Sequence, residues 1–200
     1  MAHIVKATDY NLNLCKQALV NSQVIAVPTE TVYGLAGNAL DEIALHTIFK
    51  IKGRPLYNPL ILHTHSIKNA EKYATFNLLA RRLAEQFWPG PLTMILPKKD
   101  IVPNLVTANL DSVAIRCPQN PTFLKLLERL PFPLAAPSAN PFGYVSPTTS
   151  EHVNCSLGDK LEFILDGDDC EIGIESTIVD LRNPNKPKIL RPGPISKIGR

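Results

Sequence analysis

Cysteines, aromatic residues and long apolar segments are scarce in this sequence. Its four cysteines among 200 residues form no CxxC motif and no pairing with nearby histidines; they are Cys15, Cys117, Cys155 and Cys170. This spacing argues against a zinc site and against a disulfide framework. Because the sequence also shows no signal-peptide pattern and no apolar run of membrane length, we expect reduced thiols in a cytoplasmic protein without a membrane segment.

A strong net charge is missing as well. The formal charge of +3 and the aromatic content of 6% do not indicate a nucleic-acid binder, which needs a concentrated basic patch and, for single strands, aromatic residues for stacking. An anionic small substrate is compatible with the same charge. Hydrophobic residues make up 44% of the chain, which is enough for a sizeable core, and the length predicts a single domain over residues 1–200.

Three common catalytic signatures are also absent. The sequence has no GxxxxGK[ST] phosphate loop, no GxGxxG after a strand and no GxSxG elbow. No cysteine has an obvious base beside it. We therefore expect no protein nucleophile, so that catalysis would depend on positioning and electrostatic stabilisation, as in transfer at a phosphate.

Apolar runs alternate with helical patterns through most of the chain, which predicts an α/β fold. In the last third, strands follow one another with few helices between them, so a mixed sheet is favoured over a parallel one. After a short edge-like run at 4–5, predicted strands cover residues 24–27, 60–62, 92–96, 113–115, 134–136, 163–165, 177–179 and 189–190. Predicted helix starts are Thr8 or Asp9, Asp41, Ser66, Asn77, Asn120 and Ser150.

Residues 28–39, PTETVYGLAGNA, connect the strand at 24–27 to the helix that starts at Asp41. This connection combines hydroxyls, a carboxylate and a phenol with two glycines. The carboxyl end of a buried strand is a common ligand site in open α/β sheets, and glycine lets a ligand approach the backbone. An ordinary strand-to-helix loop is the alternative that stays open.

Polar side chains and cations recur close to the ends of predicted elements: Thr31, Lys52, Arg54, His63, Arg116, Ser138, Asn140, Ser176 and Arg191. Arginine grips carboxylate or phosphate in a bidentate manner and keeps its charge, so several arginines in one pocket would bind a polyanion such as a nucleoside triphosphate. The alternative for Lys52 and Arg54 is a solvated basic helix end. His63 and His65 would share a strand face and could bind a metal, but without a third ligand nearby we favour one hydrogen-bonding histidine.

Seven motifs, in this order, resemble the YrdC/TsaC-type L-threonylcarbamoyladenylate synthase family: PTETVYGLAGNA, KGRPLYNPLILH, FWPGPLTMIL, SVAIRCP, PSANPFGYVSPT, ESTIVD and ILRPG. The resemblance covers roughly residues 10–195, and the ordered set of motifs is far more specific than any one motif. The resemblance implies a twisted open α/β sheet, flanked by helices, with a deep basic cavity. It also implies a nucleotidyltransferase that converts L-threonine, bicarbonate and ATP into threonylcarbamoyl-AMP, pyrophosphate and water.

The implied product is the first intermediate of N6-threonylcarbamoyladenosine at position 37 of tRNAs that read ANN codons. The resemblance therefore implies a role in tRNA processing, with separate downstream tRNA threonylcarbamoyl transferase proteins receiving the product. Mg2+ would accompany ATP, and no tightly bound organic cofactor is expected. Weak direct binding of tRNA or other RNA stays open.

Matched position by position, the resemblance implies a threonine site of Thr31, His63, Arg116, Ser176 and the backbone near Ala136. The implied ATP site contains Arg54, Asn58, Ser112, Ser138, Ser146 and Arg191, with Lys52 and Asn140 beside them. Lys52 and Arg54, with Mg2+, would stabilise charge on the phosphates; the sequence does not identify protein ligands for the metal. A site built to bond the threonine hydroxyl would reject analogues that lack it.

The sequence departs from the family pattern in three ways. Leu35-Ala36-Gly37-Asn38 replaces the commoner Leu-Gly-Ala-Asn order, which moves a glycine. Phe142 stands where serine is usual, which removes one contact to ATP. The chain ends at Arg200, so we expect the short, single-domain form of the family without the extra C-terminal domain.

Two rival functions stay open. A carbamoyl-adenylate former of the hydrogenase-maturation type would use a related domain with carbamoyl phosphate, but its added acylphosphatase and zinc-finger segments do not fit in 200 residues. A non-enzymatic RNA-binding protein would use the basic hollow for RNA, with strongly salt-dependent affinity. Pyrophosphate release that needs both threonine and bicarbonate would distinguish these possibilities.

Overall fold

The apolar runs of the sequence form neighbouring strands of one continuous sheet. The computed structural model describes residues 1–195. Its strands are β1 (His3–Lys6), β2 (Ile25–Val27), β3 (Gly34–Asn38), β4 (Ile61–His63), β5 (Leu92–Pro97), β6 (Ser112–Arg116), β7 (Leu134–Ala135), β8 (Phe163–Asp166), β9 (Thr177–Asp180) and β10 (Lys188–Arg191). They lie in the order β1-β8-β2-β3-β7-β4-β6-β5-β9-β10.

The sheet contains both parallel and antiparallel pairs. β4 runs parallel to β6 and β5 runs parallel to β9, whereas β3 and β4 are each antiparallel to the short β7 between them. The predicted α/β class with a mixed open sheet is therefore confirmed. The assignment of residues 1–200 to one domain stays a prediction, and its last five residues lie outside the described range.

The helices are α1 (Asp9–Val20), α2 (Glu42–Lys52), α3 (Ile67–Ala70), α4 (Leu78–Phe87), α5 (Asn104–Thr107), α6 (Pro121–Glu128) and α7 (Ser150–Leu157). The predicted caps Thr8, Asp41, Ser66, Asn77 and Asn120 each accept a hydrogen bond from a backbone N–H in the first turn of their helix. None of the helices in the described part of the chain has the length and apolar composition needed to cross a membrane.

The secondary structure differs from the prediction most clearly at β3, at the cap of α7 and at α5. Residues 34–38, predicted as part of a connection, form β3, which pairs antiparallel with β2. This strand was missed because it consists largely of small residues rather than β-branched ones. A Cβ on Gly37 would lie 3.2 Å from Ile48 of α2, so the small residue lets the helix pack closely on the strand. The cap of α7 is Thr149 rather than Ser150, and the four-residue α5 was not predicted.

A large hydrophobic cluster covers one face of the sheet from β8 to β9 in the sheet order, and a smaller cluster covers part of the other face. Leu35, Leu62, Met94 and Ile115 belong to the large cluster. Their neighbours along the strands face the opposite side, because side chains alternate between faces. On that second face, α1 and α6 pack over β2, β3, β7 and β8 through a smaller cluster that includes Phe123. The next strands in the sheet order, β4, β6, β5 and β9, contribute no residue to that smaller cluster.

Candidate active site

A cavity of about 270 Å³ lies on this second face, beyond the region that α1 and α6 cover. Its floor comes from alternate residues of neighbouring strands: Ile61 and His63 of β4, Ala114 and Arg116 of β6, Ile95 of β5 and Ile178 of β9. The parallel register places His63 directly beside Arg116. The floor of the cavity is therefore apolar except at the ends of β4 and β6, where His63 and Arg116 lie side by side.

The predicted site residues that line this cavity come from distant parts of the chain: Thr31, Arg54, His63, Arg116, Ala136, Ser138, Ser176 and Arg191. The whole implied threonine set is among them, next to three members of the implied ATP set. The sequence interpretation requires these segments to converge, and they do. Their individual roles stay predictions.

The remaining predicted site residues lie outside the lining of the cavity: Lys52, Asn58, Ser112, Asn140 and Ser146. Lys52 lies directly behind it, where Nζ donates to the backbone carbonyls of Ser138 and Asn140. The carbonyl of Asn58 accepts from Arg54 Nε at 3.4 Å. Ser146 Oγ donates to Oε1 of Glu175, a cavity residue, at 3.3 Å. Ser112 is buried at the start of β6. These residues would thus reach a ligand only at the edge of the hollow or through a neighbour.

Arg116 is held by protein groups on several sides. Its Nη2 donates to Glu30 Oε1 at 2.6 Å, its Nη1 to Thr31 Oγ1 at 3.0 Å and its Nε to the Gly90 carbonyl at 3.2 Å. Both side chains of the Glu30–Arg116 ion pair are buried. Because charge-assisted hydrogen bonds restrict the planar guanidinium, Arg116 presents a fixed donor surface whose charge is largely compensated.

Arg191 is compensated in a similar way. Its Nη1 pairs with Glu175 Oε2, its Nη2 donates to Ser176 Oγ at 3.0 Å and its Nε donates to the Ser176 carbonyl at 2.9 Å. Ser176 Oγ also contacts Oγ1 of the buried Thr93 at 2.7 Å. Arg191 therefore orients Ser176, the residue immediately before β9.

Lys52 and Arg54 differ from these two arginines. Among residues 1–195, neither has a carboxylate oxygen within 4 Å. Lys52 is 3% exposed. Burial and the nearby charge of Arg54 lower the pKa of the Lys52 ammonium to about 8, against an opposing effect of Glu175. A buried cation without an acid partner is costly, and an anionic ligand would remove that cost.

Arg54 lies just beyond the end of α2, where Gly53 terminates the helix in the left-handed conformation with φ of 62°. Its Nη2 donates to the Pro59 carbonyl at 3.0 Å. Burial lowers the pKa of the Arg54 guanidinium, although Glu175 partly offsets this. Carbonyl groups orient this guanidinium without cancelling its charge. Arg54 on the cavity wall, with the charge of Lys52 behind it, makes this side of the cavity suited to an anion.

His63 is buried, and burial together with the charge of Arg116 lowers its pKa to about 3. The imidazole is therefore neutral at physiological pH. Its Nδ1 lies 3.2 Å from the Ile61 carbonyl, which fixes the ring through one hydrogen bond. β4 ends at His63, so His65 does not continue the strand face as the two-histidine alternative requires.

The described residues offer little for a tightly held metal. Within residues 1–195 there is no group of three or more histidine, cysteine, aspartate or glutamate side chains that could hold a metal ion. Glu175 is the carboxylate that lines the cavity, and it is paired with Arg191. Mg2+ commonly takes phosphate oxygens, waters and one or two carboxylates. The donor set therefore suits a metal that arrives with a phosphate ligand.

The sequence interpretation did not assign two carboxylates that pair with arginines of the site. Glu30 pairs with Arg116, and Glu175 pairs with Arg191. Both lie inside quoted motifs, one residue before Thr31 and one before Ser176. Their position beside predicted site residues indicates that they belong to the site. Their arginine partners are more than a dozen residues away in sequence, so only the fold reveals the pairing.

This chain is similar in sequence to proteins named threonylcarbamoyl-AMP synthase. A threonylcarbamoyl-AMP synthase of Pyrococcus abyssi (strain GE5 / Orsay) is 46% identical over 186 residues, covering 92% of this chain and 54% of that protein. A threonylcarbamoyl-AMP synthase of Vibrio vulnificus (strain YJ016) is 34% identical over 186 residues, covering 92% of this chain and 98% of that protein. The chain spans about half the length of the first curated relatives that it matches.

A solved structure of a related protein has the same fold as this chain. The crystal structure of P. abyssi Sua5 complexed with L-threonine superposes with a TM-score of 0.92 at 44% identity, covering 96% of this chain and 58% of that chain. The family model for Sua5, YciO and YrdC, described as Telomere recombination, matches residues 17–193. Since the match extends over nearly the whole chain and over the strands that form the cavity, this chain belongs to the Sua5/YciO/YrdC family.

Proposed function

We propose that this chain is a threonylcarbamoyl-AMP synthase, which forms L-threonylcarbamoyladenylate and pyrophosphate from L-threonine, bicarbonate and ATP. The observation that carries the proposal is the single cavity in which the implied threonine residues lie next to Arg54, Ser138 and Arg191. The names of the relatives and the L-threonine complex of P. abyssi Sua5 support it.

L-Threonine would occupy the part of the cavity over β4 and β6. Arg116, held by Glu30, offers guanidinium hydrogens to the carboxylate, and neutral His63 can hydrogen-bond without adding charge. Thr31, Ser176 and the backbone near Ala136 supply polar groups for the amine and the side-chain hydroxyl. A cavity whose polar groups hydrogen-bond the threonine hydroxyl rejects an analogue without it, because those polar groups of the protein would then have no partner.

ATP would bind toward Lys52 and Arg54. These two cations lack an acid partner among the described residues and so attract the phosphates most strongly. Ser138, Asn140, Ser146 and Arg191 would complete the phosphate and ribose contacts, with Asn58 and Ser112 at the periphery. We propose that ATP enters as its Mg2+ complex, in which the metal supplies further charge neutralisation on the phosphates.

The chemistry needs no protein nucleophile. The deprotonated threonine amine attacks CO2, with release of one amine proton to solvent, or attacks bicarbonate with loss of water; either route gives a carbamate. A carbamate oxygen then attacks the α-phosphate in line, and pyrophosphate leaves. Lys52 and Arg54 would hold the phosphates and stabilise the charge that develops on them, and the fixed Arg116 would keep the carbamate in line.

The wider role follows from the product. Threonylcarbamoyl-AMP would pass to separate tRNA threonylcarbamoyl transferase proteins, in the cytoplasm, for N6-threonylcarbamoyladenosine synthesis. Weak direct binding of tRNA is a further part of this proposal.

The decisive experiment measures pyrophosphate release and product mass with ATP, ¹³C-bicarbonate and each of threonine, serine and valine. We expect release that requires both threonine and bicarbonate, and an adenylate that carries the ¹³C label. Serine should react more slowly than threonine, and valine should not react. Activity with carbamoyl phosphate in place of threonine and bicarbonate would instead indicate the hydrogenase-maturation type, and RNA binding without any release would indicate the RNA-binding alternative.

A further inference from the structure

The loop between β7 and α7 holds an aromatic ring against one of the cations of the cavity. The centre of the Phe142 ring lies 5.8 Å from Cζ of Arg54. This distance is within the range of a cation–π contact. Phe142 is 46% exposed and lies outside the residues that line the cavity, so it reaches the site only through Arg54.

The backbone around Phe142 fixes where this ring lies. The Phe142 N–H donates to the Lys52 carbonyl at 2.7 Å, which ties the loop to the end of α2. Asn140 Nδ2 donates to the carbonyls of Pro141 at 2.8 Å and Tyr144 at 2.7 Å. Gly143 has a φ of 85°, a conformation that glycine adopts without strain. The loop is therefore anchored on both sides of the ring.

An aromatic ring orients a guanidinium in a way that a carboxylate does not. Arg116 and Arg191 are each held by a glutamate, which compensates their charge. Arg54 is held by two backbone carbonyls and the face of Phe142. A ring attracts the cation and restricts its motion, yet leaves the full positive charge for an anionic ligand.

We infer that Phe142 is a positioning residue, which holds the Arg54 guanidinium in the orientation that binds the polyphosphate of ATP. The inference rests on the proposed function of the cavity. Because a partly exposed cation–π contact is weak, loss of the ring should weaken polyphosphate binding by about two- to fivefold. Binding of threonine should not change.

The test compares Phe142→Leu, which removes the ring but stays apolar, with Phe142→Tyr, which restores an aromatic face. Tyr144→Leu is the matched control, because Tyr144 is a more exposed aromatic residue of the same loop at 73%. Calorimetry would measure binding of ATP and of inorganic tripolyphosphate, which has no base to stack. We expect Phe142→Leu to lower the affinity for both ligands by the same factor. The affinities of Phe142→Tyr and Tyr144→Leu should stay close to those of wild type.

A double-mutant cycle then tests whether Phe142 acts through Arg54. In an Arg54→Gln background, Phe142→Leu should cause no further loss of tripolyphosphate affinity. Weaker binding of ATP alone would mean that the ring contacts the base, and unchanged binding of both ligands would mean that it contacts neither; each result overturns the inference. If wild type releases pyrophosphate while Phe142→Leu binds normally, only this inference is wrong. If wild type binds neither ligand, the proposed function is wrong and the inference with it.

Discussion

The Glu30 carboxylate and the Arg116 guanidinium form a buried ion pair at the cavity, with 2.6 Å between Oε1 and Nη2 and each side chain 4% exposed. The second carboxylate oxygen of Glu30 accepts from the Gln119 backbone N–H at 3.0 Å. The pair thus joins the loop after β2 to β6 and to the segment that follows it. Glu30 supplies the one carboxylate that pairs with Arg116 among the described residues, beside the Thr31 hydroxyl and the Gly90 carbonyl.

Replacing Glu30 should strongly destabilise the fold. Glu30→Gln keeps the shape of the side chain but leaves the buried Arg116 charge unpaired, which costs about 3–5 kcal/mol. Urea denaturation would measure this as a lower free energy of unfolding. Asp168→Asn, which removes an exposed partner of Lys6, is the control and should have almost no effect. Equal stability of Glu30→Gln and wild type would contradict this view of the pair.

Removing Arg54 should cost most of the catalytic rate and leave the fold intact. Arg54→Ala removes a cation that no carboxylate compensates among the described residues, and we expect a loss of about 10²–10³-fold in pyrophosphate release. Lys50→Ala removes an exposed cation from the last turn of the same helix and should keep the wild-type rate. Circular dichroism would check folding, and near-normal activity of Arg54→Ala would count against its role.

Thr31 should govern the affinity for threonine rather than for ATP. Its Oγ1 accepts from Arg116 Nη1 at 3.0 Å and contacts Thr29 Oγ1 at 2.8 Å. Thr31→Val removes the hydroxyl that makes both contacts and should raise the KM for threonine by about tenfold or more, whereas Thr31→Ser keeps the hydroxyl and should stay within a few-fold of wild type. Steady-state kinetics with each substrate varied in turn would measure this. An equal rise in the KM for ATP would argue for a general structural effect.

His63 should make the protein sensitive to acid. Its pKa is about 3 in the folded protein and near the ordinary 6.5 when the chain unfolds. Between these values the unfolded state binds more protons, so stability falls as the pH is lowered from about 6.5 toward 3. Urea unfolding at several pH values should therefore show a steeper loss for wild type than for His63→Gln. Parallel curves for the two proteins would refute this assignment.

Local structure was predictable where a single residue type decides it. Thr8, Asp41 and Asn120 cap their helices as predicted, because a side-chain oxygen near the first free N–H groups is a local interaction. The strand β3 was missed because Gly34–Asn38 lacks the apolar alternation that marks a strand. Its identity depends on pairing with β2 and β7 and on packing against α2, which are contacts between distant residues.

The candidate site shows the same division. The ordered motifs predicted that Thr31, His63 and Arg116 lie in one site, and they predicted the family to which the chain belongs. They did not indicate that the cavity lies on an open face of the sheet, since that depends on where α1 and α6 stop covering it. Nor did they distinguish compensated cations from uncompensated ones.

The amino-acid sequence by itself determined the alternation of elements, the helix caps and the chemical identity of the polar groups, because each is set by residue type and local spacing. Tertiary structure alone decided which charges meet. Glu30 pairs with Arg116 and Glu175 pairs with Arg191, while Phe142 contacts Arg54, which has no carboxylate oxygen within 4 Å among residues 1–195. Ion pairing falls steeply with distance and depends on burial, and both are set only when the ten-stranded sheet brings these segments together.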